Sequence, residues 1–236
     1  MVDARSESAK RSGGLYMDAK LPEFLDHFNV DLVLDVGANQ GQFARELLNA
    51  GFSGRIVSFE PLSDAHAKLL ANSRGNAQWT VADRCAIGDR TGTAMINVAG
   101  NSQSSSLLGM LDVHEQAAPA SRYVGTERVA LRRLDEVGAA YVAAARAPFL
   151  KIDVQGYEDR VIGGASGLLL EMLGLQLEMS LVPLYEGERV FEFWLPRLRS
   201  FGFELWWLRP GFTDKVSGRA LQVDGIFFRS VGGVGT

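Results

Sequence analysis

Asp31-Leu32-Val33-Leu34-Asp35-Val36-Gly37-Ala38-Asn39-Gln40-Gly41 is the stretch that decides the fold. Residues 31–36 form a compact apolar run that stops at a glycine-rich turn. Helical spacing resumes at once over residues 42–50, with Phe43, Leu47 and Leu48 on one side. A buried strand, a tight turn and an amphipathic helix, in that order, open a βαβ unit. The pattern repeats outward. Residues 55–59 read as a second buried strand ending on Glu60-Pro61, residues 63–72 as a helix, and residues 78–87 as a third strand. Such alternation predicts an α/β fold, a doubly wound and mostly parallel sheet covered on both faces.

Further along, residues 93–99 and 127–131 read as extra strands around a serine-rich stretch, 100–126. A loop that long inside a compact domain is usually a lid, a binding loop or disordered. The expectation is therefore an inserted strand and loop segment closing over a ligand. Alternation returns with a strand at 148–154, a helix at 160–172, a strand at 174–179 and a helix at 190–201 that Pro196 should kink or divide. Two closing strands, 204–208 and 222–228, have no helix between them, which predicts an antiparallel edge. Before this frame a short amphipathic helix is expected at 21–28. Residues 1–14 and 231–236 read as tails around one domain, 15–230.

Bulk properties narrow the function. Of 236 residues, 47% are hydrophobic and 22% charged, with a net charge of −4. Such a balance gives no general attraction to nucleic acid or anionic membrane. No apolar run approaches the ~18 residues of a spanning helix. A single cysteine, Cys85, forbids an internal disulfide and fits a reducing cytoplasm. The sequence leaves open whether the chain is a homo-oligomer.

In open α/β sheets, ligands bind beyond the carboxyl ends of the strands where the strand order reverses. Asp35, Gly37, Ala38, Asn39 and Gly41 sit at that place, and Glu60 ends the next strand, where a carboxylate can accept from both hydroxyls of a ribose. A dinucleotide site wants G-x-G-x-x-G. Counted from Gly37, the three positions hold Gly37, Asn39 and Gln42, so the pattern fails twice. A nucleoside with a sulfonium amino-acid tail needs no pyrophosphate cradle, only a tight turn, polar groups and a ribose acid. Pro61, Cys85 and Ala86 would flank its base, with Asp83 beside them. S-adenosylmethionine is therefore the expected cofactor. A nicotinamide-dependent NAD(P) oxidoreductase and a non-catalytic binding module are the competing readings.

Lys151-Ile152-Asp153-Val154-Gln155-Gly156-Tyr157-Glu158 is the second unusual cluster. Lys151 and Asp153 share a face of a central strand, where an isolated buried charge is expensive and should be paired. Asp153 stands at the crevice and could meet a substrate hydroxyl, a metal or the sulfonium region. Glu178 ends the following strand, and His114 lies in the inserted segment beside Ser104, Ser105 and Ser106. An alcohol is a poor nucleophile, and a neighbouring acid or histidine helps by taking its proton. Asp153, Glu178 and His114 are the catalytic candidates, in that order.

Together these residues resemble a known family. Asp35-Val36-Gly37-Ala38-Asn39-x-Gly41, Phe59-Glu60-Pro61, Ala86-Ile87-Gly88-Asp89, Leu134-Asp135, Lys151-Ile152-Asp153-Val154-x-Gly156-x-Glu158 and Val223-Asp224-Gly225-Ile226 occur in the order seen in FkbM-type methyltransferases. The resemblance spans residues 31–229. It implies a Rossmann-like class I fold, S-adenosylmethionine as methyl donor, and O-methylation of a small-molecule, sugar or glycolipid hydroxyl. One position departs: where the family more often has glutamate, this chain has Gln155, so no acid–base or metal role is assigned there.

Overall fold

The computed structural model describes residues 20–229, so the expected tails, 1–14 and 231–236, lie outside the described residues. The first half of the chain forms α1 (Lys20–His27), β1 (Leu32–Val36), α2 (Gln42–Asn49), β2 (Arg55–Phe59), α3 (Ser63–Ser73), β3 (Trp79–Val81), β4 (Ala86–Ile87), β5 (Gly92–Ala99) and α4 (Asp112–Ala117). There follow β6 (Tyr123–Arg132), α5 (Leu134–Val137), α6 (Ala139–Val142), β7 (Pro148–Ile152), α7 (Glu158–Gly164), β8 (Gly174–Ser180), α8 (Phe191–Ser200), β9 (Phe203–Pro210) and β10 (Gln222–Arg229).

Seven strands make the main sheet, in the order β3-β2-β1-β7-β8-β10-β9. The first five are parallel, and β10 runs antiparallel to both β8 and β9. The α/β sheet and its antiparallel edge are as the alternation predicts. Every residue of β1 and of β7 is buried, because helices cover both faces of a parallel sheet. Side chains alternate accordingly. Leu32, Leu34, Leu150 and Ile152 pack with α7 and α8 on one face, and Val33, Ile56, Phe149 and Phe228 with α1 and α2 on the other. Strand order reverses between β1 and β7, whose last residues, Val36 and Ile152, are register partners. The site lies beyond that pair.

Four expectations need correction. The third strand, read as 78–87, is two strands in different sheets. After Val81 the chain leaves the main sheet across polar, exposed Asp83-Arg84, and β4 joins β6 and β5 in a second, three-stranded sheet. The helix read as 160–172 stops at Gly164, and a separate 3-10 turn, Leu168–Leu170, begins where the Asp135 carboxylate accepts the N–H groups of Gly167 and Leu168 at 3.1 and 2.9 Å. Pro196 does not divide α8. The one bond it removes would end on the carbonyl of Glu192, on the exposed side, where water can satisfy it. The stretch read as a long loop, 100–126, is folded: Ser106 bridges Asn97, Met110 bridges Tyr185, and α4 lies within it. Among the described residues no helix is long and apolar enough to cross a membrane.

Gly41, at φ +84°, is a packing glycine. A Cβ there would stand 2.4 Å from the Trp79 ring and 2.8 Å from Leu69 Cδ1. Gly41→Ala is expected to destabilise the protein by about 1–3 kcal/mol through overpacking, with further strain from the left-handed backbone. Urea unfolding and S-adenosylhomocysteine calorimetry check this together. Unchanged stability with lost binding would return Gly41 to the cofactor site.

Candidate active site

The β1 turn is built for close approach. Gly37 takes φ +84° and Asn39 φ +48°, which aims the N–H groups of Gly37 and Ala38 at the Phe59 carbonyl, at 3.1 and 3.0 Å. A Cβ on Gly37 would lie 1.8 Å from the Asp153 carbonyl oxygen, so the turns after β1 and β7 touch backbone to backbone. The next N–H, that of Asn39, donates to Glu60 Oε2 at 2.8 Å, and Leu62 N–H donates to Oε1 at the same distance. Glu60 is only 4% exposed, and burial pushes its carboxyl up to about 7 despite those two donors.

Above these turns lies a cleft open to solvent, whose free space, the open mouth included, is about 550 Å³. Glu60 and Asp153 both line it. Pro61, Leu62, Ile87 and Ile96 form an apolar wall, and Ser102, Gln103 and Ser105 a polar rim contributed by the inserted segment.

Beneath the cavity runs a chain of buried polar groups. Lys151 Nζ stands 3.2 Å from Asp35 Oδ1 and 3.4 Å from Asp153 Oδ2. Burial disfavours the ammonium, but the two carboxylates more than offset that and hold Lys151 above the ordinary lysine range. Gln155 Nε2 donates to Asp153 Oδ1 at 2.9 Å and to Glu178 Oε2 at 2.6 Å, while its Oε1 accepts from the Tyr185 hydroxyl at 2.7 Å. Burial, with Asp153 close by, pushes the Glu178 carboxyl well up.

The expected site residues divide into two groups. Gly37, Asn39, Glu60, Pro61, Cys85, Ala86 and Asp153 line the cavity. Cys85 does so as an apolar surface, since burial pushes its thiol up to about 11. Asp35, Ala38, Gly41, Glu178 and His114 are not among the lining residues. Asp35 is turned inward to Lys151 and Ser58, Ala38 is buried, and Gly41 faces Trp79. Glu178 reaches the cavity only through Gln155. His114 is buried against Tyr185 and Phe212, where desolvation takes its imidazole down to about 4. Of the three expected serines, Ser105 lines the cavity, while Ser104 and Ser106 are buried beneath it. Sequence reasoning missed Ser102, Gln103, Ile96 and Gln155. Gln155 carried a signal as the departure within the Lys151–Glu158 cluster, and Ser102 and Gln103 one only as members of the stretch expected to close over a ligand.

A family model, the methyltransferase FkbM domain, matches residues 35–205. The 2-O-methyltransferase NoeI of Sinorhizobium fredii (strain NBRC 101917 / NGR234) is 29% identical over 176 residues, 72% of this chain and 72% of NoeI. A Listeria monocytogenes protein described as an S-adenosylmethionine dependent methyltransferase matches with TM-score 0.50 and 9% identity, over 89% of this chain and 96% of that one. That likeness is one of fold alone. Synechocystis PCC 6803 magnesium protoporphyrin IX methyltransferase, solved with bound SAM, gives TM-score 0.49 at 12% identity over 90% and 76% of the two chains.

A Glu60 that receives the ribose hydroxyls would make cofactor affinity depend on pH. Ribose hydroxyls are donors and favour the ionised carboxylate, so binding should draw the Glu60 carboxyl down from about 7. S-adenosylhomocysteine affinity is expected to rise between roughly pH 6 and pH 8, and Glu60→Gln to flatten that rise. Glu60→Ala should weaken binding by about 1.5–3 kcal/mol. A flat wild-type profile with unaltered affinity in the alanine variant would remove Glu60 from the ribose.

Proposed function

The chain belongs to the FkbM methyltransferase family and uses S-adenosylmethionine, and on that premise we propose that it methylates a hydroxyl oxygen of a sugar or glycolipid, with Asp153 taking the hydroxyl proton. One observation carries this reading: the Asp153 carboxylate, 34% exposed, lines the same cavity as the ribose acid Glu60. Lys151 and Gln155 hold its two oxygens, at 3.4 and 2.9 Å.

Glu60 receives the ribose hydroxyls, and Gly37 and Asn39 border the amino-acid end. Pro61, Cys85, Ala86 and Ile87 supply the apolar surface for the base. When bound, the cofactor supplies an electrophilic methyl group whose reactivity is its own. What remains for the protein is orientation, exclusion of water and disposal of a proton. Asp153 accepts that proton from the acceptor hydroxyl, and Lys151 steadies the carboxylate before it does so. We assign His114 no part, because it is packed among aromatic rings away from the cavity.

Support for oxygen as the acceptor atom comes from NoeI, itself a 2-O-methyltransferase. A sugar fits the rim: Ser102, Gln103 and Ser105 offer donors and acceptors along one wall, as neighbouring hydroxyls require. Ile96 and Leu107 add apolar surface to the lining on which a lipid chain could begin. The lone, free Cys85 agrees with work in a reducing cytoplasm.

Labelled-methyl transfer to sugar, glycolipid and macrolide extracts tests the acceptor class. With an acceptor found, Asp153→Asn is expected to lower turnover on the order of 10²–10⁴-fold, with S-adenosylhomocysteine affinity little changed. An asparagine variant that melts early but turns over normally at low temperature would make Asp153 only the partner of Lys151. Transfer to no extract, with cofactor binding intact, would favour a non-catalytic binding module.

A further inference from the structure

Gln155 has every polar group of its side chain engaged by another side chain. Its backbone is left-handed, at φ +59°, a conformation that costs a residue with a Cβ roughly 1–2 kcal/mol. Its carbonyl accepts from the Ser106 hydroxyl at 2.6 Å, which ties this strained turn to the inserted segment. Outward from the turn, the carboxamide nitrogen gives one N–H to Asp153 and the other to Glu178. The carboxamide oxygen accepts from Tyr185. The donor end of the amide thus faces the two acids and its acceptor end the Tyr185 hydroxyl.

Two acids within reach of one nitrogen need something positive between them: a proton, a cation or hydrogen-bond donors. Here the two N–H groups of Gln155 fill that place. Neighbouring groups complete the arrangement without entering the gap. Gln222 Nε2 donates to Glu178 Oε2 at 2.8 Å, and Lys151 lies on the far oxygen of Asp153 at 3.4 Å. The two acid oxygens stand 2.6 and 2.9 Å from the nitrogen, one at the limit of and one slightly beyond the roughly 2.0–2.6 Å at which Mg²⁺ or Ca²⁺ holds oxygen. A cation centred there would find two ligands nearly in place, and a carboxylate at position 155 would supply a third.

We propose that Gln155 is a positioning residue standing where a divalent cation would otherwise sit, so that its amide, and not a metal, holds Asp153 at the cavity. The same geometry makes Gln155→Glu the single change that turns Asp153, position 155 and Glu178 into a divalent-cation site. The inference rests on the geometry of these three side chains and not on the choice of acceptor, so it stands or falls separately from the proposed function.

Mn²⁺ binding to the full chain decides it, with no acceptor required. Calorimetric titration of the wild type is expected to show no Mn²⁺ binding that Glu178→Gln weakens. Gln155→Glu should bind Mn²⁺ at least about tenfold more tightly than the wild type, since cation affinity follows the number of charged ligands. The double variant Gln155→Glu, Glu178→Gln should lose that gain. S-adenosylhomocysteine affinity of the wild type should be the same with and without EDTA. A folded Gln155→Glu protein with no gained Mn²⁺ binding would overturn the proposal. So would wild-type Mn²⁺ binding that Glu178→Gln abolishes, a comparison that stands even if Gln155→Glu does not fold.

Discussion

A buried ammonium on the central strand of the sheet sets the terms for everything around it. Lys151 is 5% exposed and Asp35, its register partner on β1, is wholly buried. Burial acts on the two in opposite directions, pushing the Asp35 carboxyl up and the Lys151 amine down. For Lys151 a second acid, Asp153, tips the balance back to the charged form. Removing Asp35 would leave the ammonium with only the partly exposed Asp153 beside it, and breaking a buried pair costs about 3–5 kcal/mol. The arrangement is poor as a source of stability and good as a source of position, because the ammonium has few other places to go.

From this pair, side-chain hydrogen bonds cross the sheet at the level of the strand ends. Trp79 Nε1 donates to Ser58 Oγ at 3.0 Å, and Ser58 Oγ donates to Asp35 at 3.1 Å. On the other side Asp153 passes through Gln155 to Glu178 and Gln222. The line therefore runs from β3 to β10, with both faces of the sheet covered by apolar side chains. Trp79 is also the ring for which Gly41 makes room. Packing at one margin of the sheet and the acid at the cavity thus share one network, and networks of this kind fix a geometry before any ligand arrives.

How far the sequence discloses this depends on the range of each interaction. Local signals sufficed for β1, the turn at Gly37 and Glu60, because apolar run, turn and strand end follow one another in the chain. They failed at residues 78–87, where apolar character continues although the chain passes from one sheet to another. Nor do they report that Asp35 turns to Lys151 and that Gly41 faces Trp79, because a motif gives the residue type and not the direction in which its side chain or missing Cβ faces. Asp35 answers Lys151, 116 positions on in register, and no spacing rule reports that. The rim was legible as a serine-rich segment over a ligand but not residue by residue: which of its side chains meet the cavity follows from pairing of Asn97 with Ser106 and from the Ser106–Gln155 bond. Gln155 was readable only as an odd residue, since its importance lies in three partners, two of which belong to later elements.

The two sheets also divide the labour of the cavity. Ends of β1 and β2 in the large sheet carry Gly37, Asn39 and Glu60, whereas β4 and β5 of the small sheet carry Ala86, Ile87 and Ile96 and lead into the serine rim. Asp153 stands where the two sides meet: its carbonyl lies against Gly37, and its side chain is held by Gln155, whose own carbonyl is held by Ser106 of the inserted segment. A parallel strand end is constrained by neighbours on both sides, so that wall of the cavity has little freedom to vary. The segment between β5 and β6 is anchored by its buried Ser104, Ser106 and His114 and exposes other positions, such as Gln103 and Val113, where changes of sequence cost least. On the proposed reading, the choice of acceptor resides in that segment and the affinity for the methyl donor in the large sheet. Asp153 belongs to both, which is why its position must be fixed from two directions at once.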